Sequence, residues 1–124
     1  MTPRLAADKR LSTLTKVCLA LPETTRQDQK SHIAFLVRNK IFAYFLYDNH
    51  TDGIMAVACK ALPDDNTVLV AAQPDRFFLP AYIGPRGWVA LRLDRGHVDW
   101  EEVGEFVRGS YGLVAPKSLR SSVS

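Results

Sequence analysis

Residues 32–59, HIAFLVRNKIFAYFLYDNHTDGIMAVAC, constrain the fold more than any other stretch of this chain. Two apolar runs rich in β-branched and aromatic residues flank Arg38-Asn39-Lys40, and a second polar break, Asn49 to Gly53, leads into a third run. Strand-prone runs separated by short Asn/Asp/Gly breaks predict an antiparallel meander. A period of two puts Ile41, Ala43, Phe45 and Tyr47 on one face of the middle strand and Phe42, Tyr44 and Leu46 on the other. Both faces are apolar, so this strand should be central and covered, at least in part, on both sides.

Helical patterns surround the meander. Leu11, Leu14, Val17, Cys18 and Leu21 recur at helical spacing, and Pro22 stops that helix because it lacks a donor and clashes with the preceding turn. Cys18 lies on the apolar face and reads as a small buried hydrophobe. Residues 64–72 leave helix and strand both open. Pro63 followed by Asp64 and Asp65 suits the start of a helix, whereas Thr67 to Val70 has strand propensity. A short helix closed by Pro74 is the preferred reading. GWVALRLD alternates, with Trp88, Ala90 and Arg92 opposite Val89, Leu91 and Leu93, which predicts a half-buried strand. Asp99 with Glu102 forms a capping-box-like start to a last helix whose apolar face is Trp100, Val103, Phe106, Val107, Tyr111 and Val114.

This order predicts an α+β domain. A three-stranded meander plus one or two later strands would form an antiparallel sheet, packed with N-terminal, middle and C-terminal helices. At 124 residues the chain suits one domain, residues 1–115, with 116–124 a loose, Ser-rich tail after Pro116. No apolar run approaches a membrane span, and MTPRLAADKRLSTL lacks the apolar core of a secretory leader. Cys18 and Cys59 belong to no pairing motif, which suits a reducing cytoplasm.

The densest functional candidate is FFLPAYIGPRGW, residues 77–88. Pro80 and Pro85 restrict φ, and Gly84 and Gly87 allow tight turns, so Gly84 to Gly87 should connect sharply into the Trp88 strand. Phe77 and Phe78 read as core. Tyr82, Arg86 and Trp88 are candidates for an outward surface, with arginine for phosphate and the rings as aromatic support. Arg38 and Lys40 occupy a hairpin tip, and Lys60 and Arg76 border the middle helix. The net charge of +3 is compatible with a polyanion partner only if such cations share one face. His32, His50 and His97 are scattered without metal-ligand spacing, and there is no nucleophile elbow or phosphate loop, so no metal, cofactor or catalytic set is expected. His50 and Asp52 share a turn and read as polar loop. Asp64-Asp65 and Glu101-Glu102 read as helix-start carboxylates.

CLALPETT, SHIAFLVRNKIFAYF, QPDRFFLPAYIGPRGWVALRLD and VRGSYGLVAPKSL together resemble the MmcQ/YjbR family of small bacterial proteins. The resemblance implies a double-wing or CyaY-like α+β fold and carries a DNA-binding label, with no catalytic residues to transfer. On the residues themselves, the first reading is a small non-catalytic protein that binds DNA phosphates weakly through Arg38, Lys40, Lys60, Arg76 and Arg86, supported by Tyr82 and Trp88. Two other readings stand beside it. One is an adaptor for a protein or peptide, using Leu79, Tyr82, Ile83 and Trp88. The other is a small-ligand binder or an enzyme of unknown type, using a groove under residues 77–88.

Overall fold

A computed structural model describes residues 8–29, 32–47 and 54–120. The chain runs α1 (Lys9–Leu19), β1 (Thr24–Asp28), β2 (His32–Val37), β3 (Lys40–Tyr47), β4 (Met55–Lys60), α2 (Asp65–Ala72), β5 (Phe77–Phe78), a 3₁₀ turn (Gly84–Arg86), β6 (Trp88–Arg92), α3 (Trp100–Val114) and α4 (Lys117–Arg120). The strands form one six-stranded sheet in the order β1-β2-β3-β4-β6-β5, antiparallel throughout. The chain is therefore α+β with an antiparallel sheet, as its patterning predicts. After β4 it leaves through α2, lays down β5 at the far edge, and returns to fill the gap with β6.

The predicted meander is β2–β3–β4. Its first turn is a two-residue hairpin loop: Val37 pairs with Lys40, and Arg38 and Asn39 both have positive φ, 46° and 68°. Two successive positive φ values are the geometry that matches hairpin twist. The second turn, with His50 and Asp52, lies outside the described residues.

The simple alternation expected along β3 fails at one place. Phe35 pairs with Ala43 but Leu36 pairs with Ile41, so Phe42 has no partner on β2. This bulge turns consecutive side chains, Phe42 and Ala43, into the same main core, while Ile41 joins Tyr44 and Leu46 on the opposite face. β1 is an addition to the expected set. TTRQD has no apolar alternation because an outer strand buries little, and its polar residues discourage further pairing at the sheet edge.

All the helical residues in the two apolar clusters belong to the main core. α1 starts where the Asp8 carboxylate accepts from the Arg10 N–H, and buries Leu11, Leu14 and Cys18. α3 starts at Asp99, which accepts from the N–H groups of Glu101 and Glu102, and buries Val103, Val107 and Tyr111. The expected return half of the capping box is replaced: the Glu102 carboxylate meets Arg76 instead. Residues 65–72 are helical, which resolves the helix–strand alternative, with Pro74 just beyond. Within the stretch expected to be a loose tail, the described residues include α4. The Pro116 carbonyl accepts from Leu119 N–H, and Leu119 packs on the core. No helix among the described residues is long and apolar enough to cross a membrane.

The other sheet face carries a smaller cluster of Ala56, Ala58, Trp88 and Ala90, flanked by Tyr44, Phe78 and Ile83. β6 is consequently buried on both sides from Trp88 to Leu91, where a half-buried strand was expected. The face shields itself: alanines form a floor low enough for large neighbouring rings to lie over them.

Candidate functional site

The segment from Phe77 to Trp88 is anchored at both ends and braced in the middle. Phe77 and Phe78 pair with Leu91 and Ala90. The chain then departs through Leu79 and Pro80, and Tyr82 takes φ 69°. Gly84 N–H donates to Pro80 O at 2.9 Å, and Gly87 N–H donates to Gly84 O at 3.1 Å. The tight connection expected from the Gly84-Pro85-Arg86-Gly87 sequence is this 3₁₀ turn.

Asn66, 5% exposed on α2, holds the turn from beneath. Its Nδ2 donates to Gly84 O at 2.9 Å and to Trp88 O at 3.2 Å, while its Oδ1 accepts from Thr67 N–H at 2.9 Å. One amide thereby satisfies a carbonyl at each end of the loop. Ala61 N–H donates to Gly87 O at 2.9 Å, tying the same turn to the end of β4. Gly87 is required here, because its φ is 93° and a Cβ would stand 3.3 Å from Ala61 O. Gly87→Ala is expected to destabilise the protein by about 1–2 kcal/mol, the cost of a left-handed backbone for an L-residue. Thermal or urea unfolding checks it, and an unchanged midpoint would show that the turn relaxes.

Between this turn, the end of β4 and the start of α2 lies an open groove of about 490 Å³. Lys60 and Arg86 line it with apolar Ala61, Pro63, Leu79 and Pro85, and Asp64 lines it as well. Among the described residues, no carboxylate lies within ion-pair distance of either cation. Arg86 also reaches the field of Tyr44: burial pushes that phenol's pKa up, and the guanidinium opposes the rise.

Antiparallel register gathers four of the five predicted cations at one end of the sheet. β3 begins there with Lys40, β4 ends there with Lys60, and β6 begins there just after Arg86. Arg38 sits at the neighbouring hairpin tip, where its guanidinium grips both oxygens of Glu23 at 2.9 and 2.8 Å. That pairing holds the Glu23 carboxyl below its ordinary range. Arg76 is elsewhere. Its carbonyl accepts from Arg92 N–H at the far end of β6, its guanidinium pairs with Glu102, and it lies 5.5 Å from the Phe77 ring centre. Arg76 therefore stands apart from the other four predicted cations.

The two aromatics also separate. Tyr82 is 87% exposed on the loop crest, whereas Trp88 is 8% exposed. The Trp88 ring packs 5.2 Å from Tyr44 and over the alanine floor, so its expected outward placement is corrected. Strand alternation aims it at the second sheet face, and the small residues there make room for it.

Two structural residues of the site carried no sequence signal. Asn66, within PDDNTV, has the look of a turn or helix-start residue, and Ser110, whose hydroxyl accepts from the Lys60 N–H, resembles any polar residue of an amphipathic helix. Cys18 and Cys59 are both buried thiols with pKa values raised by burial. Among the described residues, no group of three His, Cys, Asp or Glu side chains is placed to hold a metal.

The crystal structure of the Deinococcus radiodurans protein DR2400, which carries the family-model domain DUF419, superposes on this chain with a TM-score of 0.71. The two are 26% identical, and the match covers 91% of this chain and 86% of that one. No curated protein matches the sequence. The YjbR family model matches residues 19–113, a span that holds the whole sheet, the braced turn and most of α3. With that span matched, the chain belongs to the YjbR family.

Proposed function

We propose that this protein is a non-catalytic nucleic-acid-binding protein that holds backbone phosphates at the Lys60–Arg86 end of its sheet. The observation that carries the reading is the pair of exposed cations, Lys60 and Arg86, without carboxylate partners among the described residues, on a groove braced by buried hydrogen bonds. Lys40 and Arg38 lie at the same end and extend the positive surface. Arg38 contributes less, since Glu23 already neutralises it. A cytoplasmic location goes with the reading, because nucleic acid is met there and Cys18 and Cys59 remain thiols.

Phosphate contacts give affinity without sequence choice and a strong dependence on salt. A labelled duplex should bind at low salt, with log K falling against log salt with a slope of about −2 to −4 for two to four contacts. Arg86→Ala should weaken binding and lower the slope by about 1. Fluorescence anisotropy at several salt concentrations measures both. Absence of binding at low salt by duplex and single strand alike, or an Arg86→Ala variant indistinguishable from the parent, would sink the proposal.

Exposed Leu79 and Tyr82 favour a second reading, a protein partner on the loop crest. It requires complexes that survive nuclease and moderate salt.

A further inference from the structure

We infer that the groove beside Lys60 and Arg86 takes one unpaired nucleotide of a strand, so that this protein prefers single-stranded to duplex nucleic acid. The inference rests on the nucleic-acid reading above and adds the form of the partner. Its first support is shape. The site is a concavity of about 490 Å³, a size that holds one nucleotide-sized group. A duplex presents ridges of phosphate with its bases stacked inside, so it meets only the cationic rim. A single strand turns a base outward and fills the groove.

The second support is the lining. Pro63, Leu79 and Pro85 offer an apolar wall to a base, while Lys60 and Arg86 sit where a phosphate would follow. Asp64 on the same wall repels phosphate but accepts a hydrogen bond from the exocyclic amine of a base.

The third support is Tyr82, on the same loop between the groove residues Leu79 and Gly84. It is a non-glycine residue at φ 69°, and it is 87% exposed. Such a backbone persists only where the surroundings hold it. Here the Gly84–Pro80 hydrogen bond and the Asn66 amide do so. The backbone that carries the ring is fixed in advance of binding, so less freedom is lost when a base stacks on it. Base–aromatic stacking is sequence-tolerant and serves unpaired bases.

The test compares one labelled oligonucleotide, single-stranded and annealed to its complement, by anisotropy at fixed salt. The single strand should bind more tightly, by about tenfold. Tyr82→Ala should weaken single-strand binding by about 5- to 150-fold and leave duplex binding unchanged. Tyr82→Phe, which keeps the ring and guards against a folding artefact, should bind like the parent. Duplex binding equal to or tighter than single-strand binding would overturn the inference, as would a Tyr82→Ala variant that weakens both forms alike or neither. Displacement by free mononucleotides at equal nucleotide concentration would also overturn it, by showing that a strand is not needed. If duplex binds with the expected salt slope and these arms fail, the nucleic-acid reading stands and only this inference falls. If neither form binds, the reading itself is lost.

Discussion

Ser110→Ala is expected to lower stability by about 2–4 kcal/mol, although it removes one oxygen atom and leaves every apolar contact of α3 in place. Ser110 is fully buried. Its hydroxyl donates to Phe42 O at 2.6 Å and accepts from Lys60 N–H at 2.9 Å. The β3–β4 ladder ends at the Ala43–Cys59 pair, so Phe42 and Lys60 would have been the next partners. The β3 bulge at Phe42 also leaves that residue unpaired toward β2. The hydroxyl bridges the two backbone groups left over. Alanine would strand a buried carbonyl and an N–H, each costing about 1–3 kcal/mol. The urea midpoint should fall without a change in slope, which identifies a change in stability rather than in denatured-state compactness. A loss below about 1 kcal/mol would mean that water or a shifted strand replaces the hydroxyl. Because Lys60 is one of the two groove cations, the variant should also blur the site it helps to position.

Asn66→Ala is expected to have a similar thermodynamic cost, about 2–4 kcal/mol, with a more local consequence. Trp88 O and Thr67 N–H lose their partner, and Gly84 O is left with Gly87 N–H alone. Leaving such groups unpaired costs about 1–3 kcal/mol each where they stay buried, and less where the loop opens to water. Opening is the expected response, since the turn's remaining ties are short-range except for Ala61 N–H to Gly87 O. The loop from Leu79 to Gly87 should become the first site of proteolytic cleavage, and nucleic-acid affinity should fall with it. Asn66→Asp distinguishes the mechanism. It keeps the shape but replaces the two-donor amide with an acceptor-only carboxylate facing two carbonyls. It should be at least as damaging as alanine. If Asn66→Asp were neutral, the hydrogen bonds to Gly84 and Trp88 would not be what holds the turn.

Elements defined by local physics were readable directly. The first helix, with Leu11, Leu14 and Cys18 inward, follows from spacing, and the helix from Trp100 follows from spacing and the Asp99 cap. The first hairpin follows from β-prone runs around Arg38-Asn39-Lys40, and pairing narrows the loop to Arg38 and Asn39. Elements defined by their neighbours were not. The edge strand Thr24–Asp28 has no apolar period, because a sheet border buries few side chains. The bulge at Phe42 adds one residue against β2, and that count is settled only when the two strands meet.

The candidate site divides along the same line. Composition alone pointed to residues 77–88 as a proline- and glycine-braced turn carrying Arg86 and Tyr82, since those residue types restrict or free φ wherever they occur. Which cations stand together was a matter of strand register. It placed Lys60 beside Arg86 from 26 positions earlier, and sent Arg76 to the opposite end of β6 against Glu102. Which ring faces outward was a matter of packing, which laid Trp88 over three alanines and left Tyr82 on the crest. Residue type and spacing determine what a segment is able to do locally. Only the assembled sheet decides which cations stand together and which rings are exposed, because both depend on residues far away in the chain.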